Sequence, residues 1–168
     1  MQAAHKVLNA ALRNELLAAL RQVSPIRFEH LILDLLSQMG FGKGKSENHR
    51  LTPASGDGGI DGIINEDALG LDAIYIQAKR YAPENKVSRP DIQKFVGSLT
   101  GESATKGVFV TTSDFSKEAA AYIDRVQQRI VLINGQRLAQ LMIEHNVGVR
   151  PRSTFQIKTL DEDYFVEQ

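Results

Sequence analysis

At 168 residues the chain has the length of one domain, long enough to bury a substantial core. Its 20 basic and 20 acidic residues cancel to zero formal charge, which removes any global pull toward nucleic acid, and with no cysteine it excludes disulfides, thiolate zinc sites and thiol catalysis. No apolar run approaches the ~18 residues of a membrane span. His5, Lys6, Arg13 and Glu15 also break the start of the chain where a signal peptide needs apolar residues, so a cytoplasmic protein is expected, with no membrane partner.

Residues 3–22 are predicted to form an amphipathic helix, with Leu8, Leu12, Leu16 and Leu20 spaced four apart. Such a helix is either the end of a linker or a packing partner for the core. Ser24 and Pro25 give a cap and first-turn signal for a second helix, which Gly40 stops. Arg27, His30, Asp34, Ser37 and Gln38 form its polar stripe, with Ile26, Leu33 and Leu36 opposite. Glu29 falls in the apolar set, where a carboxylate either reaches water at the boundary or ligates a metal or a water. Residues 41–55 read as a loop or strand made basic by Lys43, Lys45, His49 and Arg50. A solvated surface is the simpler role for it, and contact with a phosphate backbone the sharper one.

Gly56, Gly58, Gly59 and Gly62 then surround Asp57 and Asp61, permitting tight turns and close approach of the backbone to a ligand. A strand is expected around Ile60–Ile64 and another over Ala73–Lys79, with a turn between. Alternation puts Ala73, Tyr75, Gln77 and Lys79 on one face of the second strand and Ile74, Ile76 and Ala78 on the other. A hairpin would carry Asp61 to Gln77 and Lys79, a grouping suited to holding a divalent metal against a phosphate. The plainer alternative is a surface carboxylate beside a solvated strand face. Lys79, Arg80, Lys86, Arg89 and Lys94 gather near this stretch against only Glu84 and Asp91, whereas Asp161, Glu162, Asp163 and Glu167 make the tail acidic.

Further along, a helix is predicted over Asp91–Leu99, a buried parallel strand over Gly107–Val110, and a turn and cap at Thr111, Thr112 and Ser113. A helix over Ser116–Gln128, a strand over Ile130–Ile133 and a helix over Gln136–His145 complete an alternation typical of parallel crossovers. Beyond Arg150 the period is lost, with Phe155 and Ile157 as candidates for an edge strand.

The run GDGGID, followed sixteen residues after Asp61 by QAK, with FEHLILDLLSQMGF ahead and GVFVTTSDFS behind, resembles the catalytic domain of Mrr-type restriction endonucleases. That family is the branch of the PD-(D/E)xK nuclease superfamily in which glutamine replaces the acid before the lysine. The similarity covers about residues 25–145. It implies an α/β fold, a restriction-endonuclease-like mixed central sheet flanked by helices with an αβββαβ core. The nuclease domain would span residues 25–146, with an N-terminal helix or linker over 1–24 and a C-terminal tail over 147–168.

The resemblance implies Asp61 as the metal-binding aspartate, Gln77 in the acid's place, Lys79 as the catalytic lysine and Glu29 as the helical acid, with the Ala78 carbonyl as a further metal ligand. It also implies Mg2+, with Mn2+ as a substitute, and hydrolysis of phosphodiester bonds in modified, methylated foreign DNA. The alternatives are a catalytically idle nucleic-acid-binding module and a structure-selective, junction-type nuclease. Double-strand cutting with one site per chain implies a homodimer or higher oligomer. Family members usually carry a separate upstream DNA-binding domain, for which this chain has no room, so it is expected to be a fragment or to rely on partners for target choice. Glu84, Asn85 and Lys86 also spell the superfamily motif, but in a polar loop, and they read with Pro90 and Asp91 as surface residues.

Overall fold

The computed structural model describes residues 2–52 and 59–167, so Gly56, Asp57 and Gly58 lie outside it. The first helix, α1 (Gln2–Leu20), buries Leu16, Leu17 and Leu20, while Val7 and Leu8 in its first half stay exposed. In α2 (Pro25–Gln38) the Ser24 hydroxyl accepts the Arg27 N–H and Pro25 occupies the first turn, as the cap signal requires. Phe28, Ile32, Leu33, Leu35 and Leu36 are its buried face. Ile26, expected with them, is exposed, because it sits two turns ahead of Leu33, in the first turn of the helix.

Five strands follow in sheet order: β1 (His49–Leu51), β2 (Gly62–Asn65), β3 (Ala73–Lys79), β4 (Lys106–Thr111) and β5 (Arg129–Ile133). The first three pair antiparallel and the last three parallel, with α3 (Arg89–Gly101) and α4 (Lys117–Tyr122) as the crossovers and α5 (Gly135–Glu144) closing the domain. The strand alternation read from sequence sorts the two cores. Ile74, Ile76, Ala78, Val108, Val110 and Ile133 pack with α1, α2 and α5. Phe109 and Ile130 pack with Ile92, Phe95 and Leu99 of α3 and Ala119 of α4. The expected αβββαβ core is therefore present as α2-β1-β2-β3-α3-β4 within a three-layer mixed α/β fold.

Three further local expectations fail. The helix expected to Gln128 stops at Tyr122 and passes through a 3-10 turn, because Val126 turns extended to pack in the second core and lead into β5. Thr111, Thr112 and Ser113 are not its cap: the Ser116 hydroxyl accepts the Ala119 N–H instead. Phe155 and Ile157 form no strand and are 84% and 81% exposed, because the tail lies by the exposed first half of α1, near His5 and Leu8, rather than along the sheet. Among the described residues no helix is long and apolar enough to cross a membrane.

Glycines differ sharply in the space around them. At Gly135, the first residue of α5, an added methyl would overlap the main-chain carbonyl of Thr112, whereas at Gly97 in α3 it would meet nothing within 4 Å. Gly135→Ala is expected to lower the melting temperature by roughly 6 °C or more, from about 2–3 kcal/mol of overpacking against backbone that has no room to retreat. Gly97→Ala should raise it by about 2–4 °C through helix propensity alone. Thermal unfolding of the two variants followed by circular dichroism checks the contrast.

Candidate active site

The site forms where the β2–β3 ladder runs out. The last paired residues are Gly62 and Ile76, and the chain just before β2 continues the alignment: the Asp61 N–H donates to the Ile76 carbonyl (2.7 Å) and the Asp61 carbonyl accepts from the Thr52 N–H (3.0 Å). With its backbone held from both sides, Asp61 directs Oδ2 at the Ala78 N–H, which donates at 2.8 Å. The Lys79 carbonyl points the opposite way, to Thr111 and Thr112 of the β4 side. Because peptide groups alternate along a strand, the Ala78 carbonyl faces the same edge as its N–H, toward Asp61.

Gln77 and Lys79 share the face that strand alternation assigns them. Gln77 is only 5% exposed, and the amide orientation that satisfies both of its ends donates from nitrogen to the Gly59 carbonyl (2.7 Å) and accepts at oxygen from Lys79 Nζ (3.3 Å). A buried amide with both ends occupied has one orientation, and it fixes the ammonium beside it. Gly59 makes this possible with a left-handed φ of 61°, and an added methyl there would come within 3.1 Å of Ser98 Oγ on α3. Neither the Gly59 carbonyl nor Ser98 was legible as a site component, since nothing local marks a loop glycine as the partner of a strand glutamine.

Glu29 arrives from the other layer. A methyl on Gly62 would lie 3.1 Å from Leu33 Cδ2, so α2 crosses directly over the start of β2. Glu29 is one turn earlier on the same stripe as Leu33, which brings it beside Asp61. It is half-buried, as its place among apolar positions suggested. The electrostatics record the grouping. Burial raises the Asp61 carboxyl above its ordinary value, partly offset by the Ala78 N–H and the Lys79 charge. Burial and then the Asp61 charge raise Glu29, with His30 and Lys79 opposing.

Asp61, Gln77, Lys79, Glu29 and the Ala78 peptide are thus brought to one place, and the other candidates are not. Asp91 accepts from Ser88 in the capping box of α3, and Glu84, Asn85 and Lys86 lie exposed after β3. Arg89 stacks over the Tyr122 ring at 5.1 Å, and Arg80 turns away to donate to the Arg21 carbonyl, so the basic cluster is only partly available beside the site. Among the described residues, no group of three or more His, Asp or Glu side chains gathers to cage a metal. The available donors are carboxylate, amide and main-chain oxygens, a hard set that fits magnesium, calcium or manganese rather than zinc or copper.

A family model described as a restriction endonuclease, of the Mrr catalytic type, matches residues 20–142. The type IV methyl-directed restriction enzyme EcoKMrr of Escherichia coli strain K12 is 46% identical over 160 residues, covering 95% of this chain and 51% of that protein. The chain therefore spans about half the length of the curated relative it matches. Among solved structures, the MspJI restriction endonuclease in complex with a 27-mer oligonucleotide superposes with a TM-score of 0.60 at 28% identity, over 83% of this chain and 33% of that one. The DNA modification-dependent restriction endonuclease AspBHI gives a TM-score of 0.65 at 20% identity, over 83% and 37%, a likeness of fold.

The raised carboxyl pKa values make a prediction of definite sign. A carboxyl whose folded pKa lies above its unfolded value contributes its full stability below the unfolded pKa and loses it as pH rises through the folded one. Ionised Asp61 therefore costs stability at neutral pH. Asp61→Asn keeps an oxygen for the Ala78 N–H, so without metal it should melt higher than the parent at pH 7, by roughly 2–4 °C for each kcal/mol recovered. The gain should shrink as pH falls toward the ordinary aspartate value of 3.8. Unfolding in the presence of a chelator at several pH values measures it, and a pH-independent difference would show that the Asp61 charge is not the cause.

Proposed function

The chain belongs to the Mrr-type restriction endonuclease family, and from that premise we propose that it is a metal-dependent endonuclease hydrolysing phosphodiester bonds in modified, methylated DNA. The observation that carries this reading is the meeting of Asp61, Gln77 and Lys79 at the end of the β2–β3 hairpin, with Glu29 reaching in from α2. In this reading Asp61, Gln77 and the Ala78 carbonyl would hold Mg2+, with Mn2+ able to substitute, and Glu29 would support the ion or a water beside it. When bound, the ion supplies Lewis-acid chemistry: a lower pKa for water and neutralisation of charge on the phosphate. Lys79, held by Gln77, orients the attacking water and offsets the charge that builds on the phosphate oxygens. Lys86 and Lys94, exposed around the start of α3, are suited to the flanking DNA backbone.

The nuclease unit is taken as residues 25–146, with 1–24 as an N-terminal helical support and 147–168 as an appended tail. Zero net charge leaves little nonspecific affinity for phosphate, which supports target choice by a partner domain or subunit. One site per chain supports a homodimer for double-strand cutting, and a cytoplasmic location suits action on foreign DNA.

The test is magnesium-dependent nicking of supercoiled plasmid, methylated and unmethylated. Lys79→Ala and Asp61→Ala should each reduce the nicking rate by about 100-fold or more, as loss of a charge-stabilising group does elsewhere. Undiminished cutting by either variant would refute the assignment. Plasmid binding with no cutting in magnesium or manganese would instead favour the idle binding module, and preference for branched over linear duplex the junction-type nuclease.

Gln77→Glu gives an independent check of the donor set. The added carboxylate should lower the magnesium concentration needed for half-maximal rate, because affinity at oxygen-ligand sites follows ligand charge. It should also lower the melting temperature without metal, since the Gly59 carbonyl loses its donor. A metal requirement unchanged by this substitution would place the ion away from Gln77.

A further inference from the structure

Four polar side chains are buried among the described residues: Gln77 at the site, and Thr111, Thr112 and Ser113 in succession at the end of β4. Thr111 and Thr112 are 0% and 1% exposed. A buried hydroxyl in place of another valine is unfavourable unless its hydrogen bond is made. Here each hydroxyl donates to a main-chain carbonyl of the segment leaving β3. Thr111 Oγ1 donates to the Lys79 carbonyl at 2.9 Å, Thr112 Oγ1 to that of Tyr81 at 2.6 Å, and Ser113 Oγ to that of Asn85 at 2.7 Å. The Thr112 N–H adds a second donor to the Lys79 carbonyl at 3.3 Å.

A brace from the opposite layer closes the ring. Arg80 Nη1 donates to the Arg21 carbonyl at the end of α1, and Arg21 Nη2 donates to the Thr112 carbonyl at 3.4 Å.

Lys79 needs such support because of where it stands. Pairing with β2 ends at Ile76 and pairing with β4 ends at Lys79 itself, so it occupies the final register of the sheet, where strands fray first. A four-carbon side chain also magnifies any rotation of the backbone that carries it. We propose that Thr111 is a positioning residue for Lys79, its hydroxyl acting with the Thr112 N–H on the Lys79 main-chain carbonyl to keep the ammonium at the distance from Asp61 and the phosphate that cleavage requires. The inference rests on the reading of Lys79 as the catalytic lysine.

The test compares Thr111→Val, Thr111→Ser and, as a stability control on the same strand, Val108→Ala, whose side chain lies in the first core. Thr111→Val preserves shape, and the Lys79 carbonyl keeps the Thr112 N–H, so the fold should persist. Single-turnover cleavage of methylated plasmid at saturating magnesium should fall ~10-fold, while duplex binding measured in calcium stays within about twofold, as misplacement of a reacting group costs rate rather than affinity. Thr111→Ser, which restores the donor, should recover most of the rate. A merely structural role predicts no such split between rate and binding, no rescue, and an equal loss in Val108→Ala once matched for melting temperature.

The proposal is overturned if Thr111→Val cleaves at the parent rate, if serine does not rescue, or if the core control loses as much. Lys79→Ala cleaving as well as the parent would instead overturn the functional reading beneath it.

Discussion

The hydrogen bond from the Ala78 N–H to Asp61 Oδ2, 2.8 Å long, stands where the next rung of the β2–β3 ladder would otherwise be. A side chain takes over from a main-chain carbonyl, so the two strands stay joined although their backbones have ceased to pair. The substitution leaves an acidic group facing the gap between the diverging ends. Everything else in the site is arranged about that gap: Gln77 and Lys79 approach from the α3 side of the sheet, and Glu29 from the α2 side.

Holding acids in such a place is unfavourable, and the raised pKa values of Asp61 and Glu29 register that cost. The scaffold meets it with two apolar cores that owe nothing to the site. One joins the sheet to α1, α2 and α5 through Phe28, Ile32, Ile76 and Leu138, and the other joins it to α3 and α4 through Phe95, Leu99 and Phe109. Phe95 and Phe109 meet edge to face at 5.4 Å, with Phe109 in register beside Gln77 on the neighbouring strand. Rigidity on both sides lets a small polar constellation stand between them with little freedom to relax.

Glycine sets how close the layers come. Gly62 lets Leu33 rest on the beginning of β2, which draws Glu29 toward Asp61, and Gly59 lets a loop carbonyl reach the Gln77 amide while passing Ser98. A side chain at either point would push one contributor of the site away from the others. The family to which the chain belongs is recognisable from its motif residues, but the close approach of the layers that carry them depends on these two glycines.

Much of this was legible in the order of residues alone. The bounds of β3, the common face of Gln77 and Lys79, the cap of α2, the parallel second half and the anomaly of Glu29 all follow from local periods of two and 3.6 residues and from cap chemistry, which depend on near neighbours in the chain. The role of Thr111, Thr112 and Ser113 was not, because hydroxyls after a strand look the same whether they cap the next helix or bond the preceding strand. Nor was the turning of Arg80 to Arg21, the exposure of Ile26, or the failure of Phe155 and Ile157 to find a sheet edge. Each depends on what a distant segment presents at that position. Which side chains share a face, and which chemistry they carry, follows from residue order. Which faces meet does not, because that depends on the packing of layers remote in sequence and on the space their glycines leave between them.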